Sequence, residues 1–204
     1  MKLIYAHAGD VFFTHSETVL GRLIRWAESD PNETNGVWAN HAGIVVEDGW
    51  IGAGDPLATP AVVVEALWKT RKGPLDTSKI QVRVFRPIPA LTPEELAKFR
   101  AASETFVGAT YGWWKLGVQL ADRAIFKGTK VLTTAMYRDD RPICSYLAAK
   151  VYAASESVGR QVARFQLIPN VAGAFAFGMP PQAADPDEMM DFCLEHPDLW
   201  MEVK

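Results

Sequence analysis

The chain has 204 residues, 49% of them apolar and 11% aromatic, enough for one domain with a sizeable core and too many for a disordered polyelectrolyte. Its 24 acidic and 21 basic residues give a formal net charge of -3, a mixed surface without the basic stripe that a nucleic-acid partner requires. Two cysteines, Cys144 and Cys193, allow at most one disulfide, which is no framework for a secreted scaffold.

At the start, "MKLIYAHAGDVFF" carries one lysine and is interrupted by Asp10 before a signal-peptide core develops. No stretch approaches the roughly 18 uncharged apolar residues of a membrane span. The expectation is a cytoplasmic protein with reduced thiols and no stable membrane insertion, exported, if at all, by a non-classical route.

In chain order, "DVFFTH" reads as a short strand after a Gly9-Asp10 turn. "SETVLGRLIRWAES" follows with apolar residues at helical spacing and Ser16 and Thr18 as cap candidates. "DPNETNG" (30–36) is a loop by its turn formers. "NHAGIVVE" alternates, with His41, Gly43 and Val45 on one face and Ala42, Ile44 and Val46 on the other. "DGWIGAGDPLATP" is a Gly/Pro-rich connection to "AVVVEALWK" (61–69), a strand on which Val63, Glu65 and Leu67 share a face. "KTRK" (69–72) is the nearest thing to a basic cluster and reads as a solvated loop. "KIQVRVFRPI" (79–88) alternates again.

The period then becomes helical. Thr92-Pro93-Glu94-Glu95 combines proline at the first helical position with a capping box. "YGWWKLGVQLADRAIF" is a further helical run weakened by two glycines, and "DPDEMMDFCLEH" repeats the start signature with Asp185, Pro186 and Glu188. A strand-rich part (1–90) precedes a helix-rich part (91–204) with no linker long enough to divide them. The segregation predicts a single α+β domain rather than an alternating α/β fold.

The chemistry centres on "RPICSYLAAKVY". From Cys144, residues Leu147, Ala148, Val151 and Tyr152 form an apolar helical stripe, and Pro142 fits only before or at the helix start. Cys144 therefore falls in the first turn, where unpaired N–H groups and the helix dipole favour an anion such as a thiolate. A buried, inert cysteine fits the same position. A nucleophile needs a base, and His7, His15, His41 and His196 are available. His41 sits on a strand beside two small residues. Glu65 interrupts an apolar strand, where a buried carboxylate needs a partner; alternatively it points outward. The histidines and cysteines lack zinc-ligand spacing, so no metal or other cofactor is expected.

Taken in order, "GDVFFTHSE", "NHAGIVVE", "VVVEAL" and "RPICSYLAAKVY" resemble the circularly permuted branch of the NlpC-type papain-like superfamily, its YiiX-like members in particular. The resemblance spans about residues 9–155. It implies a permuted papain-like fold, a small antiparallel sheet packed against helices, with histidine preceding cysteine in the chain. Its Cys-Ser motif falls on Cys144, its His-x-Gly motif on His41 and its strand glutamate on Glu65. Tyr111 in "GATYGWW" resembles a tyrosine found before the cysteine helix. Asp10 and Ser16, polar residues bordering the first strand, are further substrate-side candidates. The chain departs from the pattern at Asn40, where many relatives have serine or threonine, and in the "DPNETNG" insertion.

The implied activity is acyl transfer by a Cys-His-Glu triad on an amide or peptide bond, for which cell-wall peptides are one substrate class. A lipid acyl substrate is the alternative, with Trp113 and Trp114 either an apolar lip or part of a core helix. A non-catalytic binding or effector module on the same fold is the third.

Overall fold

The computed structural model describes residues 3–18, 21–22, 25, 37–52, 57–112, 117–118, 121, 143–156, 176–179, 181 and 184–204. The 30–36 segment, Trp113, Trp114 and most of the 111–126 run lie outside these residues.

Short runs rich in Val, Ile and Phe form strands, because β-branched and aromatic side chains pack well on a pleated surface. β1 (Ile4–Ala6), β2 (Val11–Ser16), β3 (His41–Glu47), β4 (Gly49–Ile51), β5 (Val62–Ala66), β6 (Thr70–Pro74), β7 (Ile80–Pro87) and β8 (Trp200–Val203) divide between two sheets. The larger sheet has six strands in the order β6-β5-β3-β2-β7-β8, and every neighbouring pair is antiparallel. β1 and β4 make a separate two-stranded sheet. The strand that bears His41 is thus central.

Four of these strands depart from the sequence expectation. The "DGWIGAGDPLATP" connection contains β4, and β1 precedes the first expected strand. "KTRK" is solvated but not a loop: Arg71 and Lys72, both exposed, belong to β6, paired with Glu65 and Val64. β8 returns from the helix-rich part to complete the sheet beside β7. Ser16 is the last residue of β2; Thr18 accepts from the Gly21 N–H at 3.2 Å, and most of the expected helical run after it lies outside the described residues.

The centre of the large sheet is buried on both faces. Ala42, Ile44, Val64 and Phe85 face a core with Phe99, Leu147, Val151, Tyr152 and Met189. Phe12, Val45, Val63 and Val84 face a second cluster with Ile4 and Ile51 of the small sheet. This is why β3 carries apolar residues at both parities.

Three helices are described. α1 (Pro93–Glu104) starts at the expected capping box, with the Thr92 hydroxyl accepting from the Glu95 N–H and the Glu95 carboxylate accepting from Thr92. α2 (Cys144–Ser155) is buried on most of its circumference and packs on α1, β3 and β5. α3 (Pro186–Glu195) is capped by Asp185, which accepts from the Glu188 N–H at 2.8 Å. Among the described residues no helix is long and apolar enough to cross a membrane.

The Gly-Asp opening is structural. Gly9 takes a φ of 96° in the turn before β2, a conformation that costs glycine little. Asp10, 1% exposed, accepts from the His7 N–H at 2.8 Å and from both arms of Arg86 on β7 at 2.9 Å. The Tyr152 hydroxyl donates to the Gly9 carbonyl, tying α2 to this turn.

Candidate active site at the start of the cysteine helix

α2 begins at Cys144 itself. Its N-cap, Ile143, has no side chain able to satisfy the first N–H groups, so these remain for an anion. The sulfur takes that place, beside the backbone N–H groups of Ala42 and Ser145 and facing the His41 ring. The Ala42 N–H is available because the β3–β5 register begins one residue later, at Gly43 opposite Glu65.

His41 and Glu65 lie on the same face of neighbouring strands. The His41 Nε2 lies 2.8 Å from Glu65 Oε2, and the carboxylate is 2% exposed. With Nε2 engaged there, Nδ1 is the nitrogen left for the sulfur. Burial by itself would push the His41 imidazole down, but the Cys144 sulfur and then Glu65 outweigh it and raise it from 6.5 to about 10. Burial would likewise push the Cys144 thiol up; the imidazolium, then the Ala42 and Ser145 N–H groups, hold it below its usual value. Glu65 stays below the ordinary carboxylate value because His41 and Arg71 together exceed the effect of burial. The arrangement favours thiolate, imidazolium and carboxylate together.

The segment entering β3 is fastened from several sides. Asp187 near the start of α3 accepts from the Trp38 and Ala39 N–H groups, each at 2.8 Å. The Asn40 side chain donates to the Ser16 carbonyl at 2.8 Å. The Ser145 hydroxyl donates to the Ala184 carbonyl at 2.6 Å, so residues 184–187 hold both the cysteine helix and the approach to His41.

A cavity of about 420 Å³ reaches the pair from the imidazole side, lined by His41, Glu65, Arg71, Asn40, Thr14, Ser16 and Tyr111 among others. Leu67 and Trp68 also line it, and Trp68 is 75% exposed. Cys144 is 4% exposed and is not part of the lining.

The structure therefore brings Cys144, His41 and Glu65 together and puts Ser16 and Tyr111 on the cavity wall. It does not bring Asp10 there: that carboxylate is held by Arg86 and the turn. Glu65 points inward rather than to solvent. His7 pairs with Asp48, His15 with Glu17 and the Trp38 carbonyl, and His196 packs on Phe192. Cys193 is buried on α3, and neither cysteine forms a disulfide. Sequence reading missed Arg71 and Asp187. For Arg71 the available signal was a hairpin pairing that puts it opposite Glu65; for Asp187, 149 residues from Trp38 in the chain, there was none. Among the described residues no group of three His, Cys, Asp or Glu side chains is arranged to hold a metal ion.

No family model matches the chain, and no curated protein matches it in sequence. Among solved structures it is similar to the metalloprotein YiiX from Escherichia coli O157:H7, described as DUF1105, at 19% identity over 75% of this chain and 67% of that one, with a TM-score of 0.47.

Proposed function

We propose that the protein is a thiol hydrolase that cleaves an amide or peptide bond through a thioester on Cys144. The observation that carries this reading is the buried contact of the Cys144 sulfur with His41, itself backed at 2.8 Å by Glu65. A merely structural cysteine gains nothing from an imidazolium and two N–H donors, whereas a nucleophile needs both.

The thiolate attacks the carbonyl carbon, a C–S bond forms, and the carbonyl electron pair moves onto oxygen. The Cys144 N–H, at the first position of α2 and without an intrahelical acceptor, is placed to stabilise that oxygen. The C–N bond then breaks as His41 gives its Nδ1 proton to the leaving amine. Water, losing a proton to the now neutral His41, attacks the thioester and releases the acid and the thiolate. Glu65 holds the ring in place and stabilises the imidazolium whenever it forms.

One observation favours a lipid acyl substrate as a second reading: Leu67 and the exposed Trp68 give the cavity an apolar wall beside the site. Muropeptides and phospholipids incubated separately with the protein distinguish the two. A covalent acyl adduct on Cys144, found by mass mapping and absent from Cys144→Ala, is the expected result with one of them. Turnover that survives Cys144→Ala excludes the thioester mechanism, and Cys144 alkylation no faster than that of Cys193 excludes an activated thiol.

A further inference from the structure

Three charged groups do not complete the site. Glu65 and Arg71 are direct partners across the β5–β6 ladder, so their side chains share a face of the sheet. Arg71 donates to Glu65 Oε1 through Nε at 2.8 Å and Nη2 at 2.5 Å, while Oε2 belongs to His41. The final torsion of a glutamate is broad and would let the carboxylate turn. Two convergent N–H groups on one oxygen fix where the other points.

Charge leads to the same residue. Thiolate and carboxylate make two negative charges and imidazolium one positive, in a site where Cys144 is 4% and Glu65 2% exposed. A buried excess charge is costly unless paired. The Arg71 guanidinium brings the sum to zero, and at 46% exposure it keeps nearly half of its contact with water. Glu65 faces His41 from β3 and Arg71 from β6, with Cys144 beyond His41 on α2; Asp76 lines the same cavity after β6.

We infer that Arg71 is a positioning residue of this site: it clamps Glu65 toward His41 and supplies the countercharge that lets Cys144 persist as a thiolate. The inference rests on the thiol reading given above.

The test is the pH profile of Cys144 alkylation by iodoacetamide in the full chain, with Cys193 separated by mass mapping. Removing a cation makes the thiolate harder to form, so Arg71→Gln moves the profile to higher pH and slows alkylation about tenfold at pH below the wild-type midpoint, one pKa unit being tenfold. Arg71→Lys returns the charge and restores most of the rate. In a Glu65→Gln background, Arg71→Gln adds little, because the guanidinium has already lost its anchor. A profile for Arg71→Gln that superimposes on wild type overturns the inference. So does a full shift that persists in Glu65→Gln, or an Arg71→Lys profile no better than Arg71→Gln. Should Arg71→Gln fail to fold, phenylglyoxal modification of Arg71 in the folded wild-type chain replaces it, with Arg71→Lys as the control for other arginines. The same upward displacement is then expected, and its absence overturns the inference. Slow wild-type Cys144 sinks the thiol reading and this one with it, whereas a fast wild type with an unchanged Arg71→Gln profile sinks only this one.

Discussion

The ring of Phe12 fills the space that a side chain at Gly43 would need: a Cβ there would lie 2.3 Å from Phe12 Cζ and 3.1 Å from the Val64 carbonyl oxygen. The two residues are register partners on β2 and β3, and the same ring lies 6.4 Å, centroid to centroid, from His41. The glycine of the His-x-Gly motif therefore serves steric packing, and Phe12 forms a wall beside the imidazole.

Gly43→Ala forces that ring aside. Overpacking of this kind costs about 1–3 kcal/mol, and the displaced ring loosens His41. A lowered urea midpoint together with slower Cys144 alkylation is expected. Phe12→Leu in the same chain recovers part of both, because the two sites share one contact. Equal, independent losses in the double variant would contradict this packing.

Asp10 and Arg86 separate structure from chemistry. Arg86→Ala leaves a buried carboxylate without its main partner, a change that costs about 3–5 kcal/mol. Because Asp10 does not line the cavity, the pH at which Cys144 becomes reactive stays where it is in whatever fraction remains folded. A profile displaced by Asp10→Asn would restore a substrate-side role for Asp10.

Asp187→Ala removes the acceptor of the Trp38 and Ala39 N–H groups. Stranding a buried donor costs about 1–3 kcal/mol, and of the two the Ala39 N–H is the fully buried one. Since the residues set free lead directly into His41, Cys144 alkylation slows in the same variant. Thr92→Ala is the contrasting control: losing the α1 cap costs about 1 kcal/mol and leaves the alkylation profile unchanged.

The ion pair also dictates how stability depends on pH. His41 is raised from 6.5 to about 10, so its contribution is present below 6.5 and lost as pH rises through about 10. Cys144 is lowered from 9.0, so its contribution is present above 9.0 and lost as pH falls through the folded value. Between 6.5 and 9.0, over the range in which the folded thiol is ionised, the folded pair holds one proton on His41 and the unfolded pair one proton on Cys144, so the two slopes cancel. Below 6.5 the unfolded chain binds the extra proton first. Glu65, lowered from 4.5, adds to that loss as pH falls through its folded value. The contribution of the pair is thus flat between 6.5 and 9.0 over the range in which the folded thiol is ionised, and falls as pH rises beyond 9.0 toward about 10. Urea midpoints across pH check this, and a monotonic change through neutrality would contradict the thiolate–imidazolium pair.

Much of this was legible locally. Strand alternation located β3, β5 and β7, and the Thr92 and Asp185 signatures marked two helix starts to the residue. These features rest on neighbours a few positions apart. β1, β4, β6 and β8 escaped because three to five residues carry too little periodicity, and "KTRK" looks like a loop until its partner strand is known.

That Cys144 begins a helix and that His41 and Glu65 lie on strands follows from residues a few positions apart, because proline placement, apolar stripes and period-two alternation are local physics. The meeting of sulfur and imidazole, the inward face of Glu65, its hold by Arg71 and the place of Asp10 in a turn came only with the folded arrangement. Each of those depends on which strands become neighbours, and chain-distant pairing is set by how the two faces of one sheet bury their apolar residues, not by any single segment.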